Sequence, residues 1–416
     1  MLDLRHHYFV PTHTDGSPAV EMRAFTHGLM PRSVPDMMDG FVEDWRQRGV
    51  DAWNQVPDRW QTGAAGPVGW WNLPEHLGDH FIGPLLGAPA GTCIHQPNVH
   101  WSVSALLSCD EPFEGGRNEI VCTELDFPSV LHTIQQWSGL RDIRPVILPA
   151  GADGFADVEA VLDAITERTA VVFMSHVGFT SGECLPDDEL RRVADAAHAS
   201  GALFFVDGYH AASTMPVDVA AIGCDAYFGG LLKEASGSTG NAYLYIRKGL
   251  DLTPRLAGWF GDADPFGFGM APAAHPGVRR RFIGGTTAVA SMYHAVEGVR
   301  LLLDAGLAEV RAHSLALTGR AIEHVDASGL PLRSPRQPAR RGAMVILEVP
   351  RADQLCGWLK ERGVFTDSRR KKYLRLAPFV WNTEDDVDRA FAEIADALAS
   401  GAYHAWNGEQ EGGPVT

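Results

Sequence analysis

Two short apolar runs separated by one amphipathic helix constrain the fold of this chain more than any other feature. Residues 169–177 (TAVVFMSHV) and 202–208 (ALFFVDG) are rich in β-branched and aromatic side chains, which is typical of buried parallel strands. Between them, Pro186 and two aspartates begin a helix with a regularly spaced apolar face, and Gly201 ends it. Such a β–α–β unit requires a right-handed crossover and therefore predicts a parallel sheet.

Polar residues lie at the carboxyl ends of both predicted strands. Ser175 is near the end of the first run, and Asp207 is at the end of the second. Ligands of open α/β sheets bind beyond the carboxyl ends of the strands. Both residues are therefore candidates for a functional site.

The pattern changes in the last quarter of the chain to a smaller α/β unit. We predict strands at 342–349 and 373–378, with a helix over 352–362 between them. A final helix is expected to begin at Thr383, where Asp386, three residues on, would complete a capping box.

These patterns predict four segments along the chain. They are an N-terminal segment at 1–30, a large domain at 31–300, a small C-terminal domain at 301–402 and a tail at 403–416. The tail ends in GEQEGGPVT, whose composition predicts disorder.

Composition and charge exclude several classes of function. The formal net charge is −17, so no basic face is expected to bind nucleic acid. No stretch reaches the roughly 18 uninterrupted apolar residues of a membrane helix, and the N-terminus does not read as a signal peptide. The six cysteines are widely scattered and form no CxxC pair, so we expect them to be reduced thiols. We therefore expect a cytoplasmic protein that binds neither nucleic acid nor membrane.

Two histidines have the spacing of metal ligands on one helical face. His76 and His80 are four residues apart, but no third ligand follows at a recognisable spacing. An HExxH motif is also absent from the sequence. Solvated or locally paired histidines explain the pair better, so we predict no metal site.

One acid and one lysine point to a specific cofactor. VDGYH places Asp207 at a strand end, and GGLLKEASGSTG places Lys233 in a glycine-rich loop 26 residues further on (207 to 233). Pyridoxal 5′-phosphate (PLP) enzymes need a lysine amine that forms a Schiff base with the cofactor. They also need an acid that keeps the pyridine nitrogen protonated, because only the protonated ring is a strong electron sink. Each residue alone is weak evidence, whereas the combination is specific.

In this order and spacing the chain resembles kynureninase, within the class V aminotransferase group of fold-type I PLP enzymes. The resemblance covers residues 25–387 and includes D-x-x-H at Asp207 and His210, then Lys233 and the glycine-rich 237–240. It implies an α/β, fold-type I PLP-dependent transferase with a mainly parallel sheet in the large domain and a smaller C-terminal α/β domain. It also implies PLP as the cofactor, Lys233 and Asp207 as the catalytic residues, and His210 beside the cofactor.

Further segments match the same family in order. The resemblance implies that the cofactor phosphate lies at the turn and helix N-terminus marked by Asn98 and Val99, where free N–H groups favour an anion. The alternative is that Asn98 is only a helix N-cap. The resemblance also implies that Phe127 stacks on the cofactor ring and that Ser129 and Val130 touch the cofactor.

The remaining matches concern the phosphate, the partner subunit and the substrate. Ser175 matches a serine near the cofactor, and Trp259 in AGWFG matches a tryptophan that reaches the phosphate. Thr286 in RFIGGTT matches a threonine that reaches it from the neighbouring subunit, which implies a homodimer with shared active sites. Arg375 in YLRLAPFVWNT matches the arginine that grips the substrate α-carboxylate, a favourable bidentate pair. The alternative for Arg375 is a surface ion pair.

Three positions depart from the family pattern. Kynureninases place a tyrosine immediately before the lysine, serving the phosphate and proton transfer, and this chain has Leu232. Where the family has aromatic–Arg/Tyr–Thr–Gly, this chain has FTSG at 179–182. Where the family has the aspartate of its FPSD segment, this chain has Val130. A proton donor and part of the substrate pocket have changed. These changes favour a related amino acid over kynurenine itself as the substrate.

The leading hypothesis is a hydrolase that cleaves the Cβ–Cγ bond of kynurenine or a related γ-keto amino acid, with Lys233 as general base. The alternatives on the same fold are transamination, β-elimination and oxidative deamination. Cysteine desulfurization is disfavoured because it needs a mobile nucleophilic cysteine, whereas Cys356 lies in a helical pattern. A catalytically idle binding protein is disfavoured because Asp207, Lys233 and Arg375 are all present.

Overall fold

Strands and helices alternate through the middle of the chain, as the β–α–β pattern predicts. The computed structural model describes residues 2–13 and 16–406. The strands are β1 Val20–Glu21, β2 Cys93–Gln96, β3 Glu119–Thr123, β4 Arg144–Leu148, β5 Thr169–Ser175, β6 Leu203–Asp207, β7 Ala226–Gly230, β8 Ala242–Ile246, β9 Val345–Glu348, β10 Val364–Phe365, β11 Asp367–Arg369 and β12 Tyr373–Leu376.

The helices cover both faces of the large sheet and one face of the small one. They are α1 Val34–Arg48, α2 Leu73–Leu77, α3 Gly83–Leu85, α4 Val99–Ser108, α5 Pro128–Trp137, α6 Val158–Ala164, α7 Asp187–Ala199, α8 Val219–Ile222, α9 Val289–His294, α10 Glu297–Ala305, α11 Leu307–Ser328, α12 Ala352–Lys360 and α13 Glu384–Ser400. Within the described ranges no helix has both the length and the apolarity to cross a bilayer.

The large sheet has seven strands in the order β2-β8-β7-β6-β5-β3-β4. Its pairs are parallel except those of β8, which is antiparallel to both β7 and β2. The central strands are apolar on both faces because helices cover both sides. The register places Ser175 directly beside Asp207, so the carboxyl ends of β5 and β6 meet at one edge of the sheet.

Helix α7 shows how the local sequence sets the crossover. Its first turn carries acidic residues at the positive end of the helix dipole. Four residues at helical spacing form the buried face against the sheet: Leu190, Val193, Ala194 and Ala197. Gly201 adopts φ +79°, a left-handed conformation that lets the chain turn back into β6.

The smaller sheet has the order β11-β12-β9, and helices α11, α12 and α13 pack against it. The predicted strands and helix are each present, although shorter than expected by one to three residues at an end. The capping box is confirmed, because Thr383 Oγ1 accepts from Asp386 N and the Asp386 carboxylate accepts from Thr383 N. The N-terminal segment contributes β1, which pairs in parallel with β10.

The prediction of a disordered tail from residue 403 is wrong for its first residues. Residues Ala402–Ala405 form a 3-10 turn, and Tyr403 is buried with its hydroxyl donating to Pro350 O. The apolar body of the tyrosine packs into the small domain, which the polar composition of the tail did not indicate. The rest of the predicted tail, residues 407–416, lies outside the described residues.

The N-terminal segment packs directly on the loop that carries Lys233. Gly28 N donates to Leu232 O at 3.1 Å, and Gly28 is buried. A methyl group added at Gly28 would collide with Lys233 O and with Ser236. This close approach of two backbones requires a glycine.

We expect Gly28→Ala to lower the free energy of unfolding by about 1–3 kcal/mol, because the added methyl group overpacks a backbone contact. Gly66→Ala is the matched control, since a methyl group there meets open space, and its effect should stay within about 0.5 kcal/mol. Urea unfolding followed by circular dichroism measures both. Equal stability of the two variants would contradict the proposed packing.

Candidate active site

A small cavity at the carboxyl ends of β5 and β6 gathers five of the twelve predicted site residues. The loop after β7 closes it on one side. It is lined by Phe127, Ser175, Val177, Phe179, Asp207, Tyr209, His210 and Lys233. Five of these, Phe127, Ser175, Asp207, His210 and Lys233, were predicted from the sequence, and the structure brings them together.

Asp207 presents a buried carboxylate to this cavity. Its Oδ1 accepts a hydrogen bond from Tyr209 N at 2.9 Å. Burial raises the pKa of the Asp207 carboxyl, and the hydrogen bond and the nearby Lys233 oppose that shift. Within residues 2–13 and 16–406, no cationic side chain lies within ion-pair distance of Asp207. A buried carboxylate without a cation is suited to receive one from a ligand.

Lys233 follows β7 in a loop whose backbone is tightly constrained. Ser236 and Ser238 both adopt positive φ, so the loop turns sharply after the lysine. The Lys233 ammonium lies 4.0 Å from the centre of the Tyr209 ring and 5.5 Å from that of Phe127. Burial lowers the pKa of Lys233, which increases the fraction of neutral, nucleophilic amine.

His210 lies between Lys233 and Glu234, an acid that was not among the residues predicted from the sequence. His210 Nε2 lies 3.0 Å from Lys233 Nζ, and His210 Nδ1 lies 3.2 Å from Glu234 Oε1. Burial, followed by the charge of Lys233, lowers the pKa of His210 to about 4. The position of Glu234 directly after the lysine was the only sequence signal for it.

A second acid that was not predicted from the sequence, Asp126, accepts a hydrogen bond from Ser175. Asp126 is buried, and its carboxylate accepts from Ser175 Oγ at 2.7 Å and from Thr123 N at 2.8 Å. Burial raises the pKa of Asp126, and these hydrogen bonds oppose the shift. Ser175 is therefore fixed in orientation, with its hydroxyl committed to Asp126.

Residues 127–130, at the start of α5, lie partly in the cavity and partly in the core. Phe127 is 42% exposed, and its ring packs edge-on against Phe179 with centroids 5.2 Å apart. Ser129 is half-buried in the first turn of the helix. Val130 is 3% exposed and packs in the apolar core. The side chain of Val130 therefore serves packing, and it does not line the cavity.

Asn98 caps helix α4, which was the alternative reading of this residue. Its Oδ1 accepts from Trp101 N at 2.8 Å, and its own backbone is extended. Val99 is the first residue of the helix. The cap leaves other first-turn N–H groups of α4 without intrahelical partners, so the helix end can still favour an anion.

Trp259 and Thr286 lie together, away from the cavity that contains Lys233. They line a separate pocket of about 620 Å³ with Trp53, Asn54, Trp71, Phe260 and other residues. Trp259 Nε1 donates to Pro265 O. Neither residue lines the Lys233 cavity of its own chain. The lining of the Lys233 cavity therefore shows no contact of either residue with a cofactor held by Lys233.

Arg375 lies at the edge of the site in a buried ion pair. Its Nε and Nη2 donate to the Asp367 carboxylate at 3.2 and 2.9 Å, and its Nη1 donates to Phe179 O at 3.2 Å. The guanidinium also lies 4.0 Å from the centre of the Phe25 ring. These bonds use three of the five N–H groups of an arginine, which leaves two. Arg375 can still bind a carboxylate, although Asp367 already balances its charge.

The arrangement fits the predicted PLP cofactor. The cavity offers a lysine amine of lowered pKa for an aldehyde and an unpaired buried carboxylate for a pyridinium nitrogen. It also offers the exposed ring of Phe127 for a flat aromatic group.

Comparison with known proteins agrees with this chemistry. The aminotransferase class-V family model matches residues 103–364. An uncharacterized aminotransferase, YcbU of Bacillus subtilis, is 30% identical over 75% of this chain and 80% of its own length. The kynureninase of Geobacillus thermodenitrificans is 27% identical over 92% of this chain and 89% of its own length.

Solved structures share the same architecture. The cysteine desulfurase CsdA from Escherichia coli superposes with a TM-score of 0.76, covering 95% of this chain and 98% of that one, at 20% sequence identity. At that identity the similarity concerns the fold.

Proposed function

We propose that this chain, which belongs to the aminotransferase class-V family, hydrolyses the Cβ–Cγ bond of a γ-keto amino acid related to kynurenine. Its cofactor is pyridoxal 5′-phosphate, and the predicted α/β fold of fold-type I PLP enzymes is confirmed. The observation that carries the proposal is the convergence of Lys233, Asp207 and Phe127 in one cavity, in a chain similar to kynureninases over nearly its whole length.

Three residues of the cavity, Lys233, Asp207 and Phe127, would each have a separate task. When bound, PLP supplies an electron sink for negative charge that develops at the substrate α-carbon. Lys233 would hold the cofactor covalently and, once released by the substrate amine, take the α-proton on Nζ. Asp207 would face the ring nitrogen and keep it protonated, while Phe127 would cover the ring and exclude water. One water is consumed, and the products are alanine and a carboxylic acid.

The structure argues against a desulfurase reaction at this site. Cys356 lies within helix α12, and its sulfur accepts a hydrogen bond from Thr366 Oγ1 at 3.3 Å. Burial raises the pKa of the Cys356 thiol to about 12, so the nucleophilic thiolate is scarce at neutral pH. A cysteine held in this way lacks the mobility and the charge that sulfur transfer requires.

The substrate would differ from kynurenine on one side of the cavity. Leu232 is half-buried directly before Lys233, and it carries no hydroxyl to protonate a departing fragment. Thr180 is buried in the segment after β5. In the same segment, Phe179 O accepts a hydrogen bond from Arg375. The two remaining N–H groups of Arg375 would hold the substrate α-carboxylate.

We expect borohydride treatment of the PLP-loaded protein to fix the cofactor on Lys233 as a stable adduct, found by peptide mass spectrometry. Lys233 is the lysine that the structure places beside Asp207 and His210, whereas Lys371 and Lys372 are exposed. Lys233→Ala should lose the adduct, and Lys371→Ala should keep it. An adduct on any other lysine would refute the assignment.

We expect weak or absent turnover of kynurenine despite full PLP occupancy, because loss of a general acid costs about 10² to 10⁴ in rate. Stopped-flow absorbance against a panel of γ-keto amino acids, including kynurenine and 3-hydroxykynurenine, identifies substrates that engage the cofactor. Alanine and a carboxylic acid as products support hydrolysis, whereas a 2-oxo acid would assign transamination instead. A kynurenine kcat of about 1–10³ s⁻¹ would contradict the altered specificity.

We also propose a homodimer in which Thr286, which lines a pocket together with Trp259, reaches the phosphate of the partner's cofactor. The pocket that they line adjoins exposed apolar side chains, with Phe266 63%, Phe268 73% and Met270 100% exposed. A patch of this kind is typical of an interface.

Mixing Lys233→Ala chains with Thr286→Ala chains tests this sharing. If Thr286 acts across the interface, each mixed dimer has one intact site, and random mixing restores about a quarter of the wild-type sites. Each variant alone serves as the control. If Thr286 acts within its own chain, mixing restores nothing, and a fully active monomer in light scattering would also overturn the proposal.

A further inference from the structure

Glu234 is a deeply buried acid in contact with His210, and the reaction described above does not use it. Its side chain is 2% exposed, although it lies directly after Lys233 in the loop that follows β7. Its contact is with His210 Nδ1, while the other ring nitrogen of His210 faces Lys233 Nζ. The Glu234 carboxylate, the His210 imidazole and the Lys233 amine therefore form a chain of two contacts through the imidazole.

The chemistry of these three groups determines where the protons lie. An ionised carboxylate can only accept hydrogen bonds, so His210 Nδ1 must carry the hydrogen that it shares with Glu234. In a neutral imidazole the other nitrogen is then an acceptor, and Lys233 Nζ can donate to it. The lowered pKa of His210, caused first by burial, keeps the ring neutral at pH 7.

We propose that Glu234 is a positioning residue that fixes the Nδ1-protonated form of His210 and thereby keeps Nε2 as the proton acceptor for Lys233. The inference rests on the proposed function, in which Lys233 takes the α-proton. The proton gained by Lys233 Nζ can then pass to His210 Nε2, where the Glu234 carboxylate stabilises the resulting imidazolium. The reverse transfer returns it to Lys233 for protonation of the product.

The charges around Lys233 decide the sign of the effect. Glu234 and Asp207 favour its protonated form, whereas Arg375 and Arg369 on the small sheet and burial oppose it. His210 is influenced in turn by Lys233, Glu234 and Arg375. Glu234 is the first of the two acids in effect on Lys233, so removal of its charge should release the Lys233 proton at lower pH.

The first test measures capture of PLP by the cofactor-free enzyme between pH 6 and 10, followed by absorbance. Capture requires the neutral Lys233 amine, so the midpoint of its rate against pH reports the ionisation of that amine. In Glu234→Gln the midpoint should move down by about 0.5 to 1 pH unit, which makes capture about 3- to 10-fold faster at pH 7. Glu119→Gln, a change at a buried acid at the opposite end of the sheet, should leave the midpoint in place.

The second test follows His210 itself by ¹⁵N NMR of histidine-labelled protein, with His210→Asn used to assign its signals. The wild-type protein should carry the ring proton on Nδ1, and Glu234→Leu should move it to Nε2. A wild-type ring protonated on Nε2, or a midpoint unchanged in a folded Glu234→Gln, would overturn the proposal. Neither measurement depends on Cβ–Cγ hydrolysis, so a failed substrate assignment leaves this inference testable.

Discussion

The burial of one amine beside one carboxylate is the constraint on which the rest of the site depends. Asp207 is buried and Lys233 is half-buried, and burial shifts the pKa of each toward its neutral form. Burying charged groups costs several kcal/mol each unless they find partners. A cofactor with an aldehyde and a cationic ring nitrogen supplies a partner to both. The site is therefore arranged for a ligand, since the attraction between Lys233 and Asp207 opposes the effect of burial only in part.

A rigid frame is needed to hold such groups at the right separation. The parallel pairing of β5 with β6 and of β6 with β7 places the strand ends side by side. The loop after β7 is then fixed by the buried N-terminal segment at Gly28 and by sharp turns at Ser236 and Ser238. Small displacements of reacting groups are costly in rate, so this packing contributes to function as well as to stability.

The small domain completes the site from the other side. Arg375 on β12 reaches the segment after β5 through Phe179 O, and Asp367 on β11 balances its charge. A buried ion pair of this kind holds the guanidinium in one orientation before any substrate arrives. The same contact ties the two sheets together across the cavity, so the packing of the sheets and the proposed binding of the substrate carboxylate depend on one residue.

The sequence by itself determined the β–α–β core, the capped final helix and the pair of Asp207 and Lys233, because strand and helix periodicity and short motifs are local properties of a chain. Only the tertiary structure decided that Glu234 contacts His210, that Asp367 neutralises Arg375 and that Tyr403 packs into the small α/β unit. These contacts depend on sheet register and on the path of loops. Local periodicity carries no information about either, because both are set by packing between distant segments.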